Sequence, residues 1–153
     1  MFKPYESEVL RQVQTFGNFT IKSFDLVHDV PCCGFLIVHP DMGRFLYASD
    51  TEYIKYRFDR LNHILVEANY STDLINPDAV NRNHVLTGHM ELHTTLNFLQ
   101  VNRNPELRNV VLCHLSRNNA DPEQFQREAE KIVECDLYVA EKGLDVDVSL
   151  MPF

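Results

Sequence analysis

The spacing of hydrophobic and polar positions changes several times along the chain, and each change marks an element. From Phe19 to Leu46, short runs rich in Val, Ile, Phe and Tyr ("FTIKSFDLV", "CGFLIVH", "RFLYAS") are broken by turn residues and predict three strands. The intervening "PDMG", Pro40 to Gly43, predicts a hairpin between the second and third. After Thr51, "TEYIKYRFDRL" places Tyr53 or Ile54, Tyr56 or Arg57, Phe58 and Leu61 at helical intervals, with Asp50 where an N-cap would stand. A strand "HILVEA" ends in Glu67, a mixed segment runs through Pro77, and "GHMELHTTLNFLQ" spaces Met90, Leu92, Leu96, Phe98 and Leu99 as an amphipathic helix. "NVVLCHLS" is the most apolar strand. "NNADPEQFQREAEKIVE" then offers Asp121 as N-cap, Pro122 at the first helical position, and Phe125, Ala129, Ile132 and Val133 on one face. "CDLYVA" and "VDVSL" predict two final strands. A β-rich opening followed by βα units, without internal repeat, low-complexity run or linker, predicts a single domain over 1–153. Its expected architecture is an α/β sandwich with a mixed sheet, and residues 1–18 are expected to form a lead-in helix or loop.

Composition narrows the class. A domain of 153 residues buries roughly 68–70% of the surface its unfolded chain exposes, enough for a real core. An apolar fraction of 44% and a charged fraction of 24% are those of an ordinary soluble domain. No apolar run approaches the roughly 20 residues of a membrane helix. "MFKPYESEVL" is charged where an export signal needs its apolar segment, so a cytoplasmic setting without membrane contact is expected. A formal charge of −8 excludes a wide basic surface for nucleic acid, although a local basic patch or a divalent metal would still receive a phosphate. Cys32, Cys33, Cys113 and Cys135 lack Cys-x-x-Cys spacing and read as buried free thiols. Only five glycines and no glycine-rich phosphate loop argue against a flavodoxin-like domain.

Four predicted strands stop on a group that can do chemistry: His28 in "FDLVHD", Asp50 in "FLYASD", Glu67 in "ILVEAN" and His114 in "VVLCHLS". Ligands of α/β folds bind beyond the carboxyl ends of strands, and imidazole with carboxylate suits a borderline divalent ion such as zinc or manganese. Each residue also has a structural role open to it. Asp50 either caps a helix or holds a cation; His114 is either a satisfied core histidine or a ligand; Glu67 either meets a surface cation or joins the site; "HDVP" is either a turn or part of it. In "HMELH", His89 and His93 stand four apart, but Glu91 is the middle residue rather than the second of His-Glu-x-x-His, which favours a solvated face or a single functional His89. Arg82, Arg103 and Arg108 are isolated charges and read as solvated loop residues.

Taken in order, "HDVPCCGFLI", "RFLYASDT", "ILVEANYS", "GHMELHTTLNFL" and "VVLCHLSRNN" resemble the C-terminal half of a metallo-β-lactamase-fold hydrolase, in the branch of tRNase Z and related phosphodiesterases. The resemblance covers about Phe19 to Leu150 and implies half of an αββα sandwich: a mixed β-sheet with helices on one face. It further implies that Asp50, in the position of the family's bridging aspartate, and His114 are metal ligands, that Glu67 supports a catalytic His89, and that His28 lies near the substrate. Val66 stands where the family's "HEATF" segment has its histidine, and Met90 where "GHST" has serine. The His-x-His-x-Asp-His cluster of the family's N-terminal half is absent. The expectation is therefore the C-terminal part of a metal-dependent phosphodiester hydrolase, using zinc or manganese, with two ions in the complete site. It would be inactive alone and need a complementary N-terminal half, or a homo-oligomer formed through the exposed apolar sheet face. The competing expectation is a degenerate, non-catalytic remnant serving as a binding or oligomerisation module.

Overall fold

The computed structural model describes residues 6–7, 12–78 and 82–151. Among these, strands form at Glu6–Ser7 (β1), Gln12–Phe16 (β2), Phe19–Asp25 (β3), Cys33–His39 (β4), Gly43–Ala48 (β5), Tyr56–Arg57 (β6), His63–Glu67 (β7), Asn109–Cys113 (β8) and Asp136–Val139 (β9). Helices occupy Arg82–Gly88 (α1), Leu92–Asn102 (α2) and Pro122–Glu130 (α3), with a single 3₁₀ turn at Thr72–Leu74. Seven strands build one mixed sheet in the order β2-β3-β4-β5-β7-β8-β9, while β1 pairs with β6 in parallel. The pairs from β2 through β5 are antiparallel, and those from β5 through β9 are parallel. Two antiparallel steps restore direction, so β3 runs the same way as β5, β7 and β8. All four therefore deliver their carboxyl ends to one edge of the sheet.

Alternation within each strand divides the sheet into two faces. Leu36, Leu46, Ile64 and Val110 lie in one row of the ladder and are fully buried; Ala48, Val66 and Leu112 form the next buried row. Phe98 and Leu99 of α2, with Phe125 and Ala129 of α3, complete this core. The other face carries Phe35, Tyr47, Leu65, Val111 and Tyr138 in one row across β4 to β9, with Tyr47 39% exposed. Asp121 caps α3 as expected, accepting from the backbone N–H groups of Glu123 and Gln124.

Several expectations are corrected. No helix follows Asp50: Ile54, Tyr56 and Phe58 are buried while Arg57 and Asp59 are exposed, a period of two rather than 3.6. The segment stays extended because β6 finds a strand partner in β1 and the Phe58 N–H donates to Asn102 Oδ1 at 2.7 Å. The lead-in is not helix or loop throughout, since β2 forms an antiparallel hairpin with β3 around Gly17 (φ 57°). "VDVSL" forms no strand; Asp147 Oδ1 accepts from the N–H and Oγ of Ser149, a local bond that competes with a ladder. Helix α1 was not expected, and α2 starts at Leu92 with Glu91 as its cap, its side chain accepting from the His93 N–H at 2.6 Å. The cysteines are free, but Cys33 is exposed and the other three are only partly covered. None of the helices described is long and apolar enough to cross a membrane.

Candidate metal centre

The site is assembled at the shared carboxyl edge by the bends that follow the strands. Asp50, just past β5, and His114, just past β8, both adopt left-handed backbone conformations, with φ of 61° and 59°. Asp and His enter this region more readily than most residues, at a cost of about 1–2 kcal/mol. These abrupt turns take the chain off the sheet and leave both side chains at its rim.

Glu67, the last residue of β7, lies beneath them with a fully buried side chain. Its Oε2 accepts the Thr51 N–H at 2.7 Å, and its Oε1 lies 2.8 Å from His89 Nδ1 and 3.1 Å from His114 Nδ1. Burial pushes the Glu67 carboxyl up to about 7; the Asp50 charge adds to the rise, while the Thr51 and Met90 N–H groups and the nearby His114 oppose it. Thr51 is itself a buried hub: its Oγ1 bonds to the carbonyl and N–H of Val27, joining the His28 segment to the Asp50 segment.

His89 follows α1 in the short connection before α2, so it does not share a helical face with His93, which is exposed on α2. Its Nδ1 is 3.6 Å from Asp50 Oδ1. His28 reaches the same oxygen through Nε2 at 3.2 Å and contacts Asp29 Oδ1 through Nδ1. The rings of His89 and His114 meet edge to face with centroids 5.0 Å apart, and those of His28 and His89 at 6.1 Å. Asp50, His89 and His114 each offer one ligand atom, and the three atoms lie within 4.8 Å of one another. Two imidazoles and a carboxylate form a donor set that fits zinc or manganese.

All five residues singled out from sequence thus meet at one mouth. Glu67 pairs with histidines rather than with a surface cation, Asp50 is not a helix cap, and His114 is 44% exposed rather than a core histidine. Arg103 and Arg108 are exposed and take no place in the cluster, and the Arg82 side chain lies outside the described residues. Sequence reasoning missed the bracing by Thr51 and Asn69; a polar residue beside a strand end carries no mark of what it will bond. An open depression of about 560 Å³ adjoins the site, lined by Gln12, Ser23, Asp25, Pro31, Cys32 and Cys33. Cys32 links the two, its Sγ lying 3.5 Å from the Asp50 carbonyl.

This architecture is a metallo-β-lactamase fold. No protein-family sequence model and no curated protein sequence matches the chain, but solved structures do. The metallo-β-lactamase-fold protein YhfI from Bacillus subtilis superposes with a TM-score of 0.64 at 19% identity, over 87% of this chain and 51% of that one. An isothiocyanate hydrolase from Delia radicum gut bacteria gives 0.64 at 18%, over 94% and 60%, and the short form of human tRNase Z gives 0.56 at 17%, over 88% and 45%. The chain therefore spans between 45% and 60% of the length of these structures.

Proposed function

We propose that the chain is the C-terminal part of a metal-dependent phosphodiester hydrolase acting in the cytoplasm, with Asp50 and His114 as ligands of zinc or manganese. The observation that carries this reading is the convergence of Asp50, His89 and His114 within 4.8 Å above a buried Glu67. The fold likeness to proteins named as a hydrolase and as tRNase Z supports it. A divalent ion bound here supplies Lewis-acid polarisation and positive charge opposite a phosphodiester. The remaining work falls to side chains. Glu67 Oε1 accepts from His89 Nδ1 and fixes the ring, so Nε2 is left to deliver a proton to the leaving oxygen. His28, against Asp50 Oδ1, flanks the mouth where substrate enters.

Two protein ligands do not hold a dinuclear centre, since a single catalytic zinc usually takes three. On this reading a complementary N-terminal half supplies the rest and covers the half-exposed face bearing Tyr47. The test is calorimetric titration with zinc and manganese, and hydrolysis of a chromogenic phosphodiester, with and without a fragment bearing His-x-His-x-Asp-His. Metal uptake and turnover that appear with the fragment and vanish in Asp50→Ala support the reading. Turnover unchanged by Asp50→Ala and His114→Ala overturns it. A non-catalytic binding or oligomerisation module is the second reading, favoured by the exposed Val13, Phe16 and Phe19 on β2 and β3; it predicts no turnover in any mixture.

A further inference from the structure

We propose that Asn69 is a positioning residue that holds His114 and His89 in register; this rests on the reading that His114 serves a bound cation and His89 the proton transfer beside it. Asn69 lies two residues past Glu67 and is 6% exposed. Its polar groups reach two other segments of chain. The backbone N–H donates to the Met90 carbonyl at 2.9 Å, the carbonyl accepts from the Ser116 N–H at 2.8 Å, and Nδ2 donates to the His114 carbonyl at 2.6 Å. Met90 directly follows His89, and His114 to Ser116 form the bend beyond β8. One buried residue therefore braces the backbone on both sides of the Glu67 carboxylate.

The bond to His114 does particular work. His114 is held at φ 59°, where a non-glycine residue does not remain unless its surroundings fix it. A return to ordinary backbone conformation would turn its carbonyl and leave a buried amide donor without an acceptor, so the bond that satisfies Asn69 also keeps the imidazole at the rim. Asparagine is the suitable residue: aspartate has the same shape but would set an oxygen against an oxygen, and alanine offers no donor. The lacing continues outward, with Asn119 Nδ2 donating to Ser116 Oγ at 3.2 Å and the Ser71 N–H donating to the Asn119 carbonyl at 2.9 Å.

The test compares Asn69→Asp and Asn69→Ala with the wild-type chain by two readouts. In the metal-free protein, the backbone carbon chemical shifts of His114 report its conformation; both variants are expected to move them away from left-handed values while retaining cooperative thermal unfolding. Zinc and manganese affinities by calorimetry, titrated with the fragment bearing His-x-His-x-Asp-His present, are expected to fall about tenfold or more. Unchanged His114 shifts in both variants overturn the proposal. Shifts that move while no metal is taken up even with that fragment present uphold the positioning of His114 and remove the metal reading, so the two failures are distinct. Should neither variant fold, the side-chain amide protons of Asn69 in the wild type decide: slow exchange supports the bond, and exchange at the rate of a free amide overturns it.

Discussion

Glu67 is a carboxylate without solvent, flanked by two imidazoles and two backbone N–H groups. By orienting His114 it acts on any cation that residue holds, and outer partners of this kind are worth roughly 10–100-fold in metal affinity. Glu67→Gln keeps the shape and removes an acceptor charge that burial already disfavours. The expected result is an unfolding temperature equal to or above wild type by differential scanning calorimetry, with zinc affinity in the presence of the His-x-His-x-Asp-His fragment lowered about tenfold or more by titration calorimetry. The cysteines separate in a similar way by environment. Burial pushes the Cys135 thiol up to about 11, so only about one in a thousand is thiolate at pH 8. Cys33 is exposed. Iodoacetamide at pH 8 is expected to label Cys33 first and leave Cys135 unmodified on the same timescale, as peptide mass spectrometry will show.

At the scale of elements, Thr51 and Asp121 illustrate two ways in which a side chain sets where a segment begins. Asp121 satisfies two otherwise unpaired N–H groups of α3. Asp121→Ala should cost about 1 kcal/mol, a fall of about 2–4 °C in unfolding temperature for a domain of this size. Thr51 instead clasps Val27 and Tyr53 and keeps the chain after β5 extended. Thr51→Val preserves volume but leaves the Val27 N–H without its acceptor, and should cost about 1–3 kcal/mol by urea denaturation. The contrast explains what was legible. Asp121, Pro122 and the apolar face of α3 interact within a few residues of one another, so the helix is readable locally. The run from Tyr53 to Leu61 accommodates helical spacing as well as alternation, and its outcome depended on β1 and on Asn102, distant in sequence.

For the molecule as a whole, β2 stands at the edge of the sheet with all five residues exposed and none charged. Uncharged edges with apolar side chains such as Val13 and Phe16 are templates for further pairing. Sedimentation velocity is expected to show concentration-dependent association of the isolated chain, reduced in a Val13→Lys, Phe16→Lys variant. The same sheet shows how far a sequence alone reaches. Alternation and strand-end chemistry determined the β-rich opening, the βα units and the set of His28, Asp50, Glu67 and His114, because periodicity and residue type are properties of short stretches; His89 came from the "HMELH" segment and the family resemblance. Only tertiary structure decided that β3 returns to the direction of β5, that Asp50 and His114 turn left-handed, and that one buried carboxylate meets two imidazoles. Those outcomes depend on strand order and on bonds between segments up to 47 residues apart (Glu67 with His114), and no local pattern contains them.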